Sequence, residues 1–355
     1  MGRIREGWIA RRNAVLSSQR FQAWAAAFPL SRPIVRHKAA AMFTMVTGFV
    51  YSQVLAAAIE TDLLTMLDGG PIDANALAVK ADLPRDGAER LLKAAASLEL
   101  AESLGDGRYA LGAQGAALLG NPGLGAMIKH HQLLYADLAD PLAVLRRGRG
   151  ALADYWAYGE ASSDVSRDYS ALMAATQPMI AEQVLDGYNF AKHCHIMDVG
   201  GGEGAFLDAV HARHPRLKRT LFDLPAVAAR VPAKEGLEVV GGSFFDDPLP
   251  RGADIVTLIR ILHDHDDAPA QSLLGAIAAA LSPGDTLLIS EPMADTPGAG
   301  PMGEAYFGFY LHAMGSGRPR TPAEIGAMLK TAGFAKWRTV RTQLPLIARI
   351  IVATR

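Results

Sequence analysis

Residues 198–204 read Asp-Val-Gly-Gly-Gly-Glu-Gly, directly after the apolar run Ile196–Val199 and directly before the helical pattern Ala205–Val210. A glycine turn between a first strand and its helix lets the backbone approach a ligand at the carboxyl edge of an open sheet. Few folds place such a turn there. The chain then alternates apolar strands with Ala-rich helices: Ile196–Val199, Thr220–Phe222, Leu237–Val240, Ile255–Ile259, Thr286–Ser290, Trp337–Arg341 and Ile347–Val352. This pattern predicts an α/β fold with a Rossmann-like, seven-stranded parallel sheet.

The second strand ends at Asp223, where an acid can accept hydrogen bonds from ribose hydroxyls. Gly200-x-Gly202-x-x-Ala205 also passes as a dinucleotide fingerprint. Charge separates the two cofactors. A dinucleotide sets a pyrophosphate against the helix N-terminus, which favours anions, but Asp198 and Glu203 flank this turn and repel one. S-adenosylmethionine has no phosphate and presents an ammonium and a sulfonium, which an acid at position 198 suits. Asp223 could also simply cap the turn before Leu224-Pro225.

The fourth strand runs into Arg260-Ile261-Leu262-His263-Asp264-His265-Asp266-Asp267. Residues just past a strand's carboxyl end face the ligand crevice, so His263 stands where a methyl acceptor meets the donor. An imidazole, with an ordinary pKa of ~6.5, can take the acceptor's proton near neutral pH. His265 is either a cofactor contact or a solvated turn residue. Glu291 ends the fifth strand at the same edge, where a carboxylate can hold the imidazole's other nitrogen; alternatively it is an exposed strand-end acid. The chain has no Cys–His metal spacing, Walker lysine or Gly-x-Ser-x-Gly elbow. Consecutive acids at a turn are usually solvated, and no metal is expected.

The 355 residues suit two domains, and 50% hydrophobic residues suffice for a sizeable core. The expected division is 1–125 and 126–355. The single cysteine, Cys194, suits a reducing cytoplasm. Arg11, Arg12 and Arg20 interrupt any signal-peptide core. Residues 1–38 carry eight Lys/Arg and one acid, Glu6, whereas the rest carries 27 basic and 35 acidic groups. Ala39–Ile59 has 21 uncharged residues and meets the length of a membrane span, but Thr44, Thr47, Gly48, Ser52 and Gln53 favour a buried or dimer-forming helix. Helical runs at 72–78 and 83–92, then a hairpin across Gly105-Asp106-Gly107, give the order of a winged helix. Its second helix sets Arg85, Arg90 and Lys93 against Asp86 and Glu89, so it lacks the clustered positive charge that nucleic acid requires. A dimerisation domain fits better.

Taken together, Asp198–Gly204, Phe222-Asp223-Leu224-Pro225, Gly241-Gly242-Ser243-Phe244-Phe245, Leu262-His263-Asp264 and Ser290-Glu291 resemble the ordered motifs of class I S-adenosylmethionine-dependent O-methyltransferases of the caffeic-acid type. The resemblance covers residues from about 40 to 355. It implies a homodimer through an N-terminal winged-helix domain, His263 as general base and Glu291 flanking it. The implied donor-binding set is Asp198, Gly200, Gly202, Asp223, Leu224, Ser243, Phe244, Arg260 and Asp264. Three positions depart from the plant pattern: Ser243 replaces an acid, Ile259 replaces a lysine with Arg260 beside it, and Pro319 replaces a second flanking glutamate.

Ser52-Gln53-Val54-Leu55, Lys129-His130-His131, Tyr135–Pro141 and Ser316-Gly317-Arg318 are similar to bacterial carotenoid O-methyltransferases of the hydroxyneurosporene (demethylspheroidene) type. That likeness implies an apolar polyene with a tertiary hydroxyl. Met302, Tyr306, Phe309, Tyr310 and Met314, with Phe307, form a Met/aromatic segment after the fifth strand. It reads either as the wall of a polyene pocket or as ordinary helix core. In the basic arm, Phe21, Trp24 and Phe28 share a helical face. Such a helix can rest on an anionic membrane, here the inner leaflet of a cytoplasmic enzyme, or pack across the dimer. Three rival functions stay open: a bacteriochlorophyll-type carbon methyltransferase, a small phenolic O-methyltransferase, and a winged-helix regulator that senses the donor.

Overall fold

The structure is a computed structural model that describes residues 2–155 and 163–355. It divides into two compact units, one running to Leu119 and the other spanning Gly120–Arg355.

The first unit contains α1 (Gly2–Leu16), α2 (Gln19–Ala27), α3 (Arg32–Glu60), α4 (Leu63–Asp68), α5 (Ala74–Ala81), α6 (Arg85–Ser97) and α7 (Ala113–Leu119). Its strands are β1 (Ile72–Asp73), β2 (Ala101–Ser103) and β3 (Arg108–Leu111), ordered β1-β3-β2. The Asp73 side chain caps α5 by accepting the Ala76 N–H at 2.9 Å, so the expected helix starts here behind a two-residue strand. Gly105 and Gly107 take φ +84° and +86°, which turns the hairpin where the sequence places it. Leu63, Leu64, Leu67, Leu77, Leu92 and Tyr109 make the core. On α6, Glu89 pairs with Lys93 at 2.7 Å and with Arg85 at 3.9 Å, leaving little free positive charge on that helix.

Helix α3 starts seven residues before the uncharged run and is long and apolar enough to cross a membrane by length and composition. It is not buried within the single chain: Phe43, Met45 and Phe49 are 64, 78 and 71% exposed. A helix with this many exposed apolar side chains needs a partner surface.

The second unit opens with α8 (Pro122–Leu138), α9 (Pro141–Arg147), α10 (Leu152–Tyr155) and α11 (Ser163–Gly187). The alternating part follows: β4 (His195–Val199), α12 (Ala205–Arg213), β5 (Lys218–Asp223), α13 (Pro225–Ala228), β6 (Leu237–Gly241), β7 (Ile255–Ile259), α14 (Asp267–Ala280) and β8 (Thr286–Glu291). It closes with α15 (Gly308–Met314), α16 (Pro322–Thr331), β9 (Lys336–Val340) and β10 (Arg349–Thr354). The seven strands form one sheet in the order β6-β5-β4-β7-β8-β10-β9. Side chains alternate between its faces, as period two requires. Met197, Val256, Leu258 and Leu287 pack into one core, whereas Ile196, Ile255, Ile259 and Leu288 pack into another. The central strands β7, β8 and β10 are covered on both faces and read as nearly continuous apolar runs, whereas the edge strand β9 is exposed along most of its length.

One expectation is corrected. The sheet is not parallel throughout, because β10 runs antiparallel to both β8 and β9. Residues 341–348, which join β9 to β10, are too few for a crossover that would return the chain parallel. The strand order reverses at β4, between β5 and β7, so a crevice opens beyond the carboxyl ends of those strands.

Candidate active site

That crevice holds a cavity of about 280 Å³. Its lining includes Asp198, Gly200, Gly202, Asp223, Leu224, Ser243, Phe244, Arg260 and Asp264, all nine positions expected to touch a donor. Phe245, His265, Met173 and Gln177 complete it in part. The last two come from α11, whose Leu/Ala-rich sequence carries no binding signature.

The glycine turn owes its shape to Asp223. One carboxylate oxygen accepts the Gly202 N–H and the other the Leu224 N–H, both at 2.7 Å. Burial pushes the Asp223 carboxyl up and these two bonds pull it back. Gly200 and Gly202 stand at φ +73° and +59°, and a Cβ on Gly201 would fall 2.4 Å from Asp198 Oδ2. The turn therefore excludes larger residues by backbone angle at two positions and by space at the third.

Asp198 is 1% exposed. Thr257 Oγ1 donates to its Oδ1 at 2.6 Å, while Oδ2 is buried with no hydrogen-bond partner among the described residues. Burial lifts this carboxyl to about 7; the Thr257 bond opposes the rise and the Asp223 charge adds to it. An orphaned carboxylate oxygen in an acid-lined crevice fits a cation and rejects a pyrophosphate. Three rings also line the cavity: Phe244–Phe245, Phe244–His265 and Phe245–His265 centroids lie 4.6, 5.5 and 5.2 Å apart. Burial keeps His265 below its ordinary pKa, hence neutral, as a stacking surface for a base requires. Ser243 donates its hydroxyl to Asp246 at 2.8 Å and its N–H to Asp247 at 2.8 Å, so two carboxylates gather beside the position where the plant pattern has one.

Arg260 has φ +59°, an uncommon angle for a residue with a Cβ. Its guanidinium bonds Thr176 Oγ1 at 2.8 Å, Gln177 Oε1 at 2.7 Å and the Met173 carbonyl at 3.2 Å, tying β7 to α11 over the cavity. Met173, Thr176 and Gln177 were not expected from sequence.

His263 lies on a short 3₁₀ turn, Leu262–Asp264, and is 7% exposed. Its Nε2 is 3.0 Å from Asp264 Oδ1. Nδ1 lies 3.7 Å from Glu291 Oε2, beyond hydrogen-bond reach. Glu291 Oε2 instead accepts the His263 backbone N–H at 3.1 Å. Glu291 is fully buried, not the exposed acid that a strand end could be, and burial raises its carboxyl pKa. For His263, burial alone pushes the imidazole down, but Asp264 and Glu291 outweigh it and lift the pKa above the usual value. The ring's hydrogen-bond partner is thus Asp264, with Glu291 holding the turn from inside.

Beyond His263 lies a π-helical turn, Met302–Phe307, leading into α15. Phe307 sits 6.1 Å from the His263 ring and 4.8 Å from Tyr306. Tyr306 OH meets His131 Nε2 at 2.6 Å and Tyr310 OH meets His130 Nε2 at 2.8 Å, so α8 supplies polar rungs to an aromatic wall. Met302 and Phe309 are half-buried, whereas Tyr310 and Met314 pack with Leu134, Val144 and Leu152 in a core cluster. For these last two, the core reading describes their surroundings.

A Rossmann-like sheet with an acid-lined, phosphate-hostile glycine turn and a histidine at its edge defines a methyl-transfer site. Comparison with known proteins identifies the family. Residues 135–335 match the O-methyltransferase domain family and residues 43–121 the O-methyltransferase dimerisation domain. Demethylspheroidene O-methyltransferase of Rhodobacter capsulatus is 42% identical, over 95% of this chain and 88% of that protein. The protein of that name from Cereibacter sphaeroides is 40% identical, over 95% and 93%. The crystal structure of human N-acetylserotonin methyltransferase in complex with S-adenosylmethionine superposes with a TM-score of 0.76 at 25% identity, covering 90% of this chain and 97% of that one. The chain belongs to the S-adenosylmethionine-dependent O-methyltransferases and forms a homodimer through the dimerisation domain. The exposed apolar face of α3 falls largely within that domain.

Asp198 gives the donor site a pH signature. The donor's ammonium and sulfonium favour the ionised carboxylate, so donor affinity should rise with pH through about 7 and then level off. Titration calorimetry across that range measures it. Asp198→Asn should bind weakly with the dependence gone; an unchanged slope in that variant would refute the assignment.

Proposed function

We propose that the chain methylates the tertiary hydroxyl of a hydroxylated acyclic carotenoid. The observation that carries this reading is identity of 42% and 40%, over 95% of the chain, to two enzymes named for demethylspheroidene. The aromatic pair Phe307 and Tyr306 next to His263 supports it, since flat rings suit a long polyene.

When bound, S-adenosylmethionine supplies an activated methyl group on a sulfonium. The protein holds that donor with the glycine turn, Asp223, Leu224, Asp198, Ser243 and Phe244. The His263 imidazole, with its own proton on Nδ1 and Nε2 released from Asp264, receives the acceptor's proton at Nε2 as the oxygen forms its new bond. Asp264 stabilises the resulting imidazolium, and Glu291 keeps the turn in place through the His263 N–H. Positioning supplies much of the acceleration, because the donor is activated and in-line geometry is demanding. Competition among a hydroxylated acyclic carotenoid, a catechol and a bacteriochlorophyllide tests the reading. The carotenoid should show the highest kcat/KM by at least about tenfold, the scale of apolar-pocket discrimination. Preference for either rival would replace it.

The basic arm fits a peripheral membrane contact that delivers such a substrate. Trp8 and Trp24 are 61 and 55% exposed, Trp24 stacks on Phe28 at 5.2 Å, and Arg12 lies over Trp8 at 5.2 Å. Aromatic rings with flanking arginines suit an anionic interface. The full chain should co-sediment with phosphatidylglycerol vesicles at low salt, and Arg11→Glu/Arg12→Glu/Trp24→Ser should lose most of that binding. Equal sedimentation of both proteins would exclude the contact.

A further inference from the structure

The turn that presents His263 does not hold itself. Its own backbone bonds are a 3.2 Å contact from the Asp264 N–H to the Ile261 carbonyl and a 3.4 Å contact from the His265 N–H to the Leu262 carbonyl. Hydrogen-bond geometry in 3₁₀ turns is poor, and these are long even for that class.

A second segment, Ser316–Arg320, takes up every carbonyl of the turn in register. Arg320 Nη1 donates to the Leu262 carbonyl at 2.8 Å, and the Arg318 N–H to the His263 carbonyl at 2.9 Å. Ser316 Oγ donates to the Asp264 carbonyl at 2.7 Å, and Arg320 Nη2 to the His265 carbonyl at 2.7 Å. Arg320 therefore spans His263 and Asp264, gripping the Leu262 carbonyl before them and the His265 carbonyl after them. Its own fork is fixed by Asp267 Oδ1, 3.0 Å from Nε and 2.8 Å from Nη2. The side chain is 0% exposed, as is that of Glu291, whose carboxylate its charge stabilises. Gly317 lies between these contacts at φ +84°, where a Cβ would fall 2.2 Å from the His263 carbonyl oxygen. The approach of the two segments is as close as backbone permits.

We infer that Arg320 is a positioning residue for methyl transfer: its guanidinium, with the Ser316–Arg318 backbone, sets where the His263 imidazole stands. The segment includes Pro319, where the plant pattern has a second flanking glutamate. Here the neighbouring arginine restrains the turn through its carbonyls, and the acid bonded to the ring is Asp264. A guanidinium suits this task because its planar fork serves two carbonyls and a carboxylate from three nitrogens in fixed directions, whereas an ammonium offers its donors from a single nitrogen. The inference rests on His263 being the base.

The test is a double-mutant cycle read by kcat at saturating donor. Arg320→Met should lower kcat by about 100-fold, the scale of a small misplacement of a reacting group. It should also displace the pH midpoint of kcat and leave S-adenosylhomocysteine affinity within about tenfold. Arg320→Lys should restore little, since the fork is lost. In a His263→Ala background, adding Arg320→Met should cost almost nothing more, because the two act as one unit. A similar loss in both backgrounds, or a fall that only tracks the folded fraction with an unmoved pH midpoint, would overturn the inference. If Arg320→Met does not fold, Gly317→Ala takes its place: it should reproduce the kcat loss and its dependence on His263, and wild-type kcat in that variant would equally overturn it. Should His263→Ala alone retain full activity, the failure belongs to the base assignment and not to Arg320.

Discussion

His263→Ala should retain donor binding and lose methyl transfer by about 10²–10⁴-fold, the usual contribution of a positioned general base. The two readouts separate because His263 is not among the residues that line the cavity, whereas Asp264 and His265, which follow it, are. Truncating the ring leaves the turn's carbonyl contacts with Arg318 and Arg320 intact. With His263 as the base, the neutral imidazole would be the active form, and Asp264 and Glu291 hold its pKa above the ordinary value. The rate should therefore climb with pH through a midpoint above ~6.5, the unperturbed histidine value, and that limb should vanish in the variant. Rapid-quench turnover at saturating donor, alongside calorimetry with S-adenosylhomocysteine, measures both. Full activity in the variant would mean that proximity alone, or another group, suffices.

Asp223→Ala should weaken donor binding by about 100-fold or more. The carboxylate accepts two backbone N–H groups at 2.7 Å, and bonds to a charged group are worth about 1.5–3 kcal/mol each. Without it, the Gly202 and Leu224 N–H groups lose their partner and the turn loses the brace that keeps Gly202 at φ +59°. A ribose contact would be lost as well. Since the residue acts on donor and not on proton transfer, kcat at saturating donor should fall far less than kcat/KM. Asp223→Asn should fall between the two proteins, because an amide oxygen can accept one of the two N–H groups. Affinity unchanged in Asp223→Ala would show that the glycine turn holds its shape without the acid.

Much of this arrangement was legible in the chain. The seven apolar runs locate the strands to within a few residues, because strands buried on both faces need unbroken apolar sequence. The rule that ligands sit beyond the carboxyl ends of such strands pointed to the glycine turn and Asp223, and the family resemblance pointed to Leu224, Ser243, Phe244, Arg260 and Asp264; these line one cavity. Strand direction was not legible: β10 reads like its neighbours, and only the short connection at residues 341–348 makes it antiparallel. Nor was the surface of α3, since a helix apolar all round resembles a core helix until its surroundings are known. At the turn that carries His263, spacing placed Glu291 and His263 at one edge. It could not show that Asp264, the next residue, would take the ring nitrogen. Arg320 carried no signal either. A charge in Ser-Gly-Arg-Pro-Arg-Thr reads as surface until the fold buries it beneath the turn.

The most direct measurement is the position of the transferred methyl group. The enzyme, a donor carrying a trideuterated methyl and an acyclic carotenoid with a tertiary hydroxyl should yield one labelled product. Mass spectrometry and NMR should place the label on the former hydroxyl oxygen as a methyl ether, with no ether formed by His263→Ala. Label on carbon, or no carotenoid product while a catechol or bacteriochlorophyllide is methylated, would contradict the account.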